Sequence, residues 1–162
     1  MILLTLGTQD KSFRRLLETL DHQLEAGLIQ EDVVVQSGYT QYSSPRLKII
    51  PYCSQDELDL YRQNASLIIT HGGVGSILDA LRFHKKVIGV ARLKQYKEHI
   101  NDHQIEILEK FAKEGHLLYA SDLAMIPSLV KEAQDFNPVP YPFNNKLLLD
   151  HIKKIIDSFI YV

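Results

Sequence analysis

A histidine and three glycines stand close together in the sequence THGGVGSILDAL, which covers residues 70–81. Glycines let the backbone approach an anion closely, and a serine hydroxyl or an imidazole can donate a hydrogen bond to a phosphate oxygen. His71 can also add a positive charge. Where such a turn leads into a helix, the free N–H groups and the positive end of the helix dipole attract anions. We therefore predict a phosphate or diphosphate site made of His71, Gly72, Gly73, Gly75 and Ser76.

Asp79 extends this predicted site, because it lies three residues beyond Ser76 and so one helical turn further along. From there its carboxylate can accept hydrogen bonds from the hydroxyls of a ribose attached to the diphosphate. The alternative is purely structural: the glycines form a tight turn between a strand and a helix, His71 is buried with its hydrogen bonds satisfied, and Asp79 is a surface residue. The spacing alone leaves both interpretations open.

Other motifs fit this stretch less well. A dinucleotide fingerprint placed on Gly73 and Gly75 needs a third glycine at position 78, which is Leu78. A P-loop needs Gly-Lys-Ser/Thr, and the sequence contains none. The nucleophile elbow of a serine hydrolase needs a glycine two residues after the serine, whereas Ser76 is followed by Ile77 and Leu78.

A second polar stretch, KQYKEHINDHQ, covers residues 94–104 and follows the apolar run KVIGVA at 86–91. If that run is a strand of a parallel sheet, the polar stretch lies at the same edge of the sheet as the glycine turn. It ends where a helical pattern begins, and its polar groups are suited to bind the hydroxyls of a sugar. These candidate groups are Asn101, Asp102, His103 and Gln104.

Two other interpretations of the second stretch stay open. His99 and His103 stand four residues apart with Asp102 beside the latter, which is one way to begin a metal site. No glutamate is placed as in the His-Glu-x-x-His motif, so we expect no metal. A plain helix cap by Asn101 or Asp102 is the other interpretation, and it is compatible with a sugar contact.

The elements that must position these residues alternate along the chain. Apolar runs rich in Val, Ile and Leu mostly lack polar alternation, as strands covered on both faces do. Helical patterns separate them, and Ser54 with Glu57 predicts a capping box, while Ser121 precedes another predicted helix. The alternation predicts an α/β fold with a doubly wound, Rossmann-like parallel sheet. The predicted strands are ILLTL, DVVVQ, LKIIPY, SLIIT, KVIGVA and HLLYA.

The C-terminal part of the sequence differs from the rest. Residues 1–136 form the predicted α/β domain, and the proline-rich NPVPYP at 137–142 reads as a stiff, extended connector. Residues 143–162 predict an extra helix with a wide apolar surface. That helix either packs on its own sheet or docks on another chain, and a homodimer of the isolated chain is a further alternative.

Composition excludes several classes of function. The chain has 162 residues and 45% hydrophobic residues, enough for one compact domain. A formal net charge of -2 gives no electrostatic signature of nucleic-acid binding. Cys53 is the only cysteine, which excludes an internal disulfide and favours a reducing, cytoplasmic compartment. The N-terminal residues have no basic leader, and no run reaches the about 18 apolar residues of a membrane span, so we expect membrane contact through a partner or a peripheral surface.

With both polar stretches in view, the sequence resembles the donor-binding domain of GT-B glycosyltransferases, of the family 28 C-terminal type. It is similar to the cytosolic subunit of the two-chain enzyme that adds N-acetylglucosamine to dolichol-linked sugar, and to bacterial exopolysaccharide and capsule glycosyltransferase subunits. The resemblance implies that the glycine turn and His71 hold the donor diphosphate and that Asp79 holds the ribose. It implies donor-sugar contacts by Asp102, His103 and Gln104, and cleft-facing positions for Gly7 and Thr8. It also implies uracil contacts, largely through backbone groups, by the loop of Tyr52, Cys53 and Ser54.

The resemblance also implies a function. We expect a catalytic subunit of an inverting glycosyltransferase that moves a hexose, galactose first among them, from a UDP-sugar to a lipid-linked saccharide in capsule or exopolysaccharide synthesis. No metal or other cofactor is expected. A membrane-anchored partner subunit would recruit the chain to the cytoplasmic face of the membrane and supply the acceptor site and the general base. A loop carrying Arg92, Lys94 and Lys97 is expected to contact phosphates, acceptor or partner. The alternative is a UDP-sugar-binding regulatory module without catalysis.

Overall fold

A computed structural model describes residues 1–143, and within this range six parallel strands form one sheet. The strand order is β3-β2-β1-β4-β5-β6, so the direction of winding reverses between β1 and β4. This order confirms the predicted doubly wound, Rossmann-like sheet. The strands are β1 Ile2–Thr5, β2 Val33–Gln36, β3 Leu47–Ile50, β4 Leu67–His71, β5 Lys86–Val90 and β6 Leu118–Ala120.

Helices cover both faces of the sheet, as the uninterrupted apolar strands require. The first and last helices described pack on one face, and the three between them pack on the other. Every residue of the two central strands is buried. The helices are α1 Arg14–Glu25, α2 Gln55–Asn64, α3 Val74–Arg82, α4 His103–Lys113 and α5 Ile126–Asp135.

The predicted helix start at Ser54 is confirmed. The Ser54 hydroxyl accepts a hydrogen bond from the Glu57 N–H at 3.2 Å, and the Glu57 carboxylate accepts one from the Ser54 N–H at 2.8 Å. The helix start predicted directly after Ser121 is wrong, because α5 begins only at Ile126. There the Asp122 carboxylate accepts a hydrogen bond from the Ala124 N–H at 2.8 Å, and a short 3-10 turn precedes α5. A carboxylate can cap a helix as well as a hydroxyl can, and the more favourable backbone position decides between neighbours.

The connector 137–142 contains no helix or strand, but it does not project away from the domain. The Val139 N–H donates to the Gly115 carbonyl at 2.9 Å, and the Tyr141 ring stacks on Phe111 with 5.5 Å between centroids. The connector is therefore packed against the end of α4. The predicted C-terminal helix lies outside the described residues, except for Phe143. No helix within residues 1–143 combines the length and the apolar character needed to cross a membrane.

Candidate functional site

A cavity of about 460 Å³ opens at the carboxyl ends of β1, β2 and β4, where the strand order reverses. We call it the switch-point cavity. In doubly wound sheets this is the position at which ligands bind. Most of the predicted site residues line it, and they come from three separate loops, those after β1, β3 and β4. These residues are Gly7, Thr8, Tyr52, Cys53, His71, Gly73, Gly75, Ser76 and Asp79.

The glycine turn connects β4 to α3 at the wall of this cavity. Gly73 occupies the cap position of α3, and no side chain of residues 1–143 caps the N–H groups of the first turn. These donors, with the positive end of the helix dipole, are available to an anion. A Cβ added at Gly75 would have no atom of another element of residues 1–143 within 4 Å, so this part of the structure leaves the backbone open to a ligand there. The local geometry is that of an anion-binding helix terminus.

His71 lies at the end of β4, with its ring between two glycines. A Cβ added at Gly7 would lie 2.6 Å from Cε1 of the ring, and one added at Gly73 would collide with Nε2. Nδ1 of His71 lies 3.5 Å from the carbonyl oxygen of Thr5. Burial, helped by the nearby charge of Arg92, lowers the pKa of His71 to about 4.

This pKa corrects one part of the sequence prediction. At neutral pH His71 is uncharged in the ligand-free protein, so it does not offer a positive charge to a phosphate. A neutral imidazole keeps one N–H. On Nδ1 that hydrogen points to the Thr5 carbonyl, and on Nε2 it points toward Gly7 and Gly73, which line the switch-point cavity. His71 therefore offers an anion a hydrogen-bond donor through the second tautomer.

Asp79 belongs to an ion-pair network between two helices, so the interpretation as a mere surface residue does not hold. Its Oδ2 lies 3.3 Å from Nη2 of Arg62, which reaches across from α2. Its Oδ1 lies 3.9 Å from Nη1 of Arg82. The Asp79 side chain is 37% exposed and lines the cavity, while Arg62 is nearly fully buried. The carboxylate is therefore held in place at the cavity wall.

The second polar stretch mostly builds structure behind the glycine turn. Oε1 of Gln104 accepts hydrogen bonds from the Gly72 N–H at 3.1 Å and from the Arg92 N–H at 3.0 Å. Oδ1 of Asp102 accepts from the Lys94 N–H at 2.7 Å. The His103 side chain is exposed and lies near Glu106. The predicted residues that do not line the cavity are Gly72, Asn101, Asp102, His103 and Gln104.

Arg92 does not contact phosphate, acceptor or partner, because only 1% of it is exposed. Its guanidinium donates to the carbonyl oxygens of Leu6 and Lys11, each at 2.8 Å, and stacks over the ring of Phe13. Burial lowers its pKa to about 10, so it remains charged at neutral pH. Arg92 therefore ties the loop after β5 to the loop after β1. Lys94, from the same loop, is exposed.

The loop before α2 carries the residues predicted to contact uracil. Tyr52 is 59% exposed, and burial raises the pKa of the half-buried Cys53 thiol, which keeps it protonated. Nε2 of Gln36 donates to the carbonyls of Gly7 at 3.4 Å and Pro51 at 3.3 Å, which braces the two loops. Several other residues of the cavity wall were not predicted from the sequence. They are Thr5, Gln9, Gln36, Gln55, Leu58 and Arg62.

For some of these residues, the sequence does contain a feature that predicts a place in the cavity wall. Gln36 is a polar residue at the carboxyl end of an apolar strand, which is where parallel sheets place ligand contacts. Arg62 gave no such signal, because its place depends on how α2 packs against α3. Among residues 1–143, no three His, Cys, Asp or Glu side chains come together in a way that would hold a metal ion.

Comparison with known proteins places the chain in a family. A model described as "Glycosyltransferase family 28 C-terminal domain" matches residues 1–159. The chain is 30% identical over 84 residues to the "UDP-N-acetylglucosamine transferase subunit ALG13" of Candida albicans, covering 52% of this chain and 27% of that protein. It is 34% identical over 80 residues to the human protein of the same name, covering 49% of this chain and 7% of that protein. The matches thus span about a quarter or less of these two relatives.

Solved structures share the fold. An NMR solution structure of ALG13 matches with a TM-score of 0.58 at 19% identity, over 93% of each chain. The crystal structure of MurG from Acinetobacter baumannii matches with a TM-score of 0.57 at 15% identity, over 81% of this chain and 40% of that one. At these identities the likeness concerns the fold alone. It confirms a Rossmann-like domain of the GT-B C-terminal type.

Proposed function

The chain belongs to the glycosyltransferase family 28 C-terminal domain family, and on that basis we propose that it is the donor-binding, catalytic subunit of a two-chain glycosyltransferase. The observation that carries this proposal is the switch-point cavity. There the uncapped start of α3, the imidazole of His71 and the carboxylate of Asp79 face one space. This set of groups matches a nucleoside diphosphate: donors for the diphosphate and an acceptor for the ribose.

In the proposed complex the diphosphate of a UDP-sugar lies on the glycine turn. The N–H groups of the turn, the helix dipole and an N–H of His71 stabilise the negative charge that develops on the departing UDP. This arrangement takes the place of a metal ion. The ribose hydroxyls donate to Asp79, and the uracil lies against the loop of Tyr52 and Cys53, in contact with backbone groups. Gly7 and Thr8 line the same space from the loop after β1.

We propose a UDP-hexose as the donor and a lipid-linked saccharide as the acceptor, in the synthesis of capsule or exopolysaccharide. Two candidates for the donor sugar, N-acetylglucosamine and galactose, are supported by different observations. The names of the curated relatives contain UDP-N-acetylglucosamine, whereas galactose has the support of the resemblance to capsule enzymes. UDP-N-acetylglucosamine is therefore the first donor to test and UDP-galactose the second.

Inverting transfer also needs a positioned acceptor hydroxyl and a base that takes its proton. We assign both to a membrane-associated partner subunit that closes over the carboxyl edge of the sheet and holds this chain at the cytoplasmic face. The relatives are themselves named as subunits, which supports a two-chain enzyme.

Calorimetric titration of the full-length chain tests the donor site. The ligands are UDP, UDP-N-acetylglucosamine, UDP-galactose and ADP, each with and without a metal chelator. We expect uridine nucleotides to bind more tightly than ADP, with no effect of the chelator. Equal binding of ADP and UDP would contradict the uracil assignment. If the chain alone binds none of the ligands, the titration is repeated on the chain co-expressed with its partner. Absence of binding by that complex would refute the proposal.

Turnover separates the enzyme from the regulatory alternative. The chain and its partner are incubated with each UDP-sugar and a lipid-linked acceptor, and transfer is followed by release of UDP. An enzyme subunit gives transfer that Asp79→Ala reduces. A regulatory module binds the nucleotide but gives no transfer.

A further inference from the structure

Arg62 is a buried cation in the wall of the switch-point cavity. It lies in the last turn of α2, and only 6% of its side chain is exposed. A guanidinium is costly to remove from water unless its charge and hydrogen bonds are matched. Its partners therefore indicate what the buried charge does.

The partners of Arg62 are two carboxylates on different helices. Nη1 pairs with Oδ1 of Asp59, three residues earlier on α2, and Nη2 lies 3.3 Å from Oδ2 of Asp79 on α3. Oδ1 of Asp59 also accepts a hydrogen bond from Nε2 of Gln55 at 3.0 Å. The guanidinium is thus anchored on α2 and reaches across to Asp79.

We infer that Arg62 is a positioning residue that orients the Asp79 carboxylate for a ribose. This inference rests on the proposed function and deepens it. Arg62 engages Oδ2, so Oδ1 is left to accept hydrogen bonds from ribose hydroxyls. Because folding already fixes the orientation of the side chain, nucleotide binding loses less conformational entropy.

Arg82 offers a natural comparison, because it approaches the same carboxylate from the other side. Its side chain is 61% exposed, and its Nη1 lies 3.9 Å from Oδ1 of Asp79. An exposed pair at that distance holds its partner weakly. Removal of Arg82 should therefore leave ribose recognition unchanged, whereas removal of Arg62 should not.

The test compares UDP with 2′,3′-dideoxy-UDP, which lacks both ribose hydroxyls. The ratio of the two affinities isolates the hydroxyls, because an effect on the diphosphate changes both affinities equally. The full-length wild-type chain is used, together with its partner if the chain alone binds neither nucleotide. We expect it to bind UDP about tenfold to a hundredfold more tightly than 2′,3′-dideoxy-UDP, the range of a charge-assisted hydrogen bond. Asp79→Asn and Arg62→Met should each reduce the ratio to about threefold or less. Arg82→Met should keep the wild-type ratio, and combining Asp79→Asn with Arg62→Met should lower it no further than either alone.

A wild-type ratio in Arg62→Met would overturn the positioning role, and so would equal weakening of both nucleotides with the ratio retained. Thermal unfolding shows whether each variant is folded. If Arg62→Met does not fold, Arg62→Lys tests the same positioning role. One ammonium group cannot hold both carboxylates in the geometry of the guanidinium fork. We expect a reduced ratio in Arg62→Lys, and an unchanged ratio would overturn the role. Absence of binding of either nucleotide by the wild-type complex would refute the proposed function itself, and this role with it.

Discussion

Gly73 and Gly75 are two residues apart, yet an added methyl group meets different surroundings at each. At Gly73 the new Cβ would collide with the ring of His71, whereas at Gly75 it would meet open space. We therefore expect Gly73→Ala to lower the free energy of unfolding by about 1–3 kcal/mol, the usual cost of overpacking. Gly75→Ala should not lower it, because alanine is the better helix former.

For nucleotide binding we expect the opposite order: Gly75→Ala should be the more harmful of the two variants. If the diphosphate lies on the turn, the methyl group of Gly75→Ala occupies its space and weakens UDP binding by tenfold or more, roughly 1.4 kcal/mol. Urea unfolding checks the predicted stabilities, and calorimetry on the same samples checks the predicted UDP affinities. UDP binding at wild-type strength by Gly75→Ala would place the diphosphate elsewhere.

The buried imidazole of His71 predicts a specific dependence of stability on pH. Its pKa in the folded chain, about 4, is below the ordinary value of 6.5. The unfolded chain therefore takes up this proton first, so the contribution of the neutral ring is fully present above pH 6.5 and is lost as the pH falls toward 4. Between pH 7 and 4.5, wild type should lose about 2 kcal/mol more of its free energy of unfolding than His71→Gln does.

Urea unfolding at several pH values measures this difference. His22→Gln is the matched control, because the His22 side chain is 81% exposed and should give the wild-type dependence. Parallel curves for wild type and His71→Gln would mean that His71 titrates normally in the folded chain.

At the residue scale, the sequence was informative where residue type alone carries the chemistry. A histidine, glycines and a carboxylate at a strand-to-helix junction predict an anion site, and the structure places His71 and Asp79 at one cavity. The charge state of His71 was not predictable, since it depends on burial. Arg62 was not predictable either, because its two carboxylate partners belong to helices whose packing the sequence does not reveal.

At the scale of elements, Gln104 joins the start of α4 to the glycine turn. One side-chain oxygen accepts hydrogen bonds from the buried N–H groups of Gly72 and Arg92. Gln104→Leu leaves both donors unsatisfied, and we expect it to lower the free energy of unfolding by about 2 kcal/mol or more. Gln104→Glu keeps an accepting oxygen and should cost less.

The same two variants test whether Gln104 contacts the donor sugar. A residue that only supports the turn changes stability and weakens UDP and UDP-sugars alike. A residue that reads the sugar changes the affinity for UDP-sugars relative to UDP, and calorimetry with both ligands separates the two roles. A change in that relative affinity without loss of stability would contradict the supporting role.

Elements were predictable where local pattern decides them. Apolar runs of five or six residues predicted all six strands of residues 1–143, and the pair Ser54 and Glu57 predicted the start of α2. Arg92 shows the limit of this reasoning. A basic residue after a strand predicts contact with solvent or ligand, but a carbonyl-rich gap between two loops buries this one. Such gaps exist only once the loops have met.

At the scale of the whole molecule, alternation of strands and helices predicted the doubly wound sheet, because parallel strands need crossover helices on both faces. The point at which the order reverses places the cavity. The path of the connector was not predictable, since prolines exclude a helix without saying where an extended segment packs. In the structure, Nδ1 of His116 lies 2.8 Å from the carbonyl oxygen of Val139, which holds the connector to the domain.

The C-terminal part of the chain therefore consists of two pieces with different expected roles. Residues 137–143 contact α4 through the Tyr141 ring and the segment after α4 through the Val139 backbone, so they support the domain. Residues 144–162 lie outside the described part, and we propose that they dock on the partner. A chain that ends at 143 should unfold like the full-length chain and bind UDP equally well. A chain that ends at 136 should lose roughly 2 kcal/mol, since it lacks the aromatic stack and the connector hydrogen bonds.

Co-purification with the partner completes this test of the two truncated chains. The full-length chain should retain the partner, and the chain that ends at 143 should lose it while its thermal unfolding stays unchanged. Tyr141→Ala in the full-length chain is the control, because it removes the aromatic stack but leaves residues 144–162 in place; it should lower stability and keep the partner. If the chain that ends at 143 still retains the partner, docking relies on the face of the domain around the switch-point cavity, and the C-terminal residues serve another purpose.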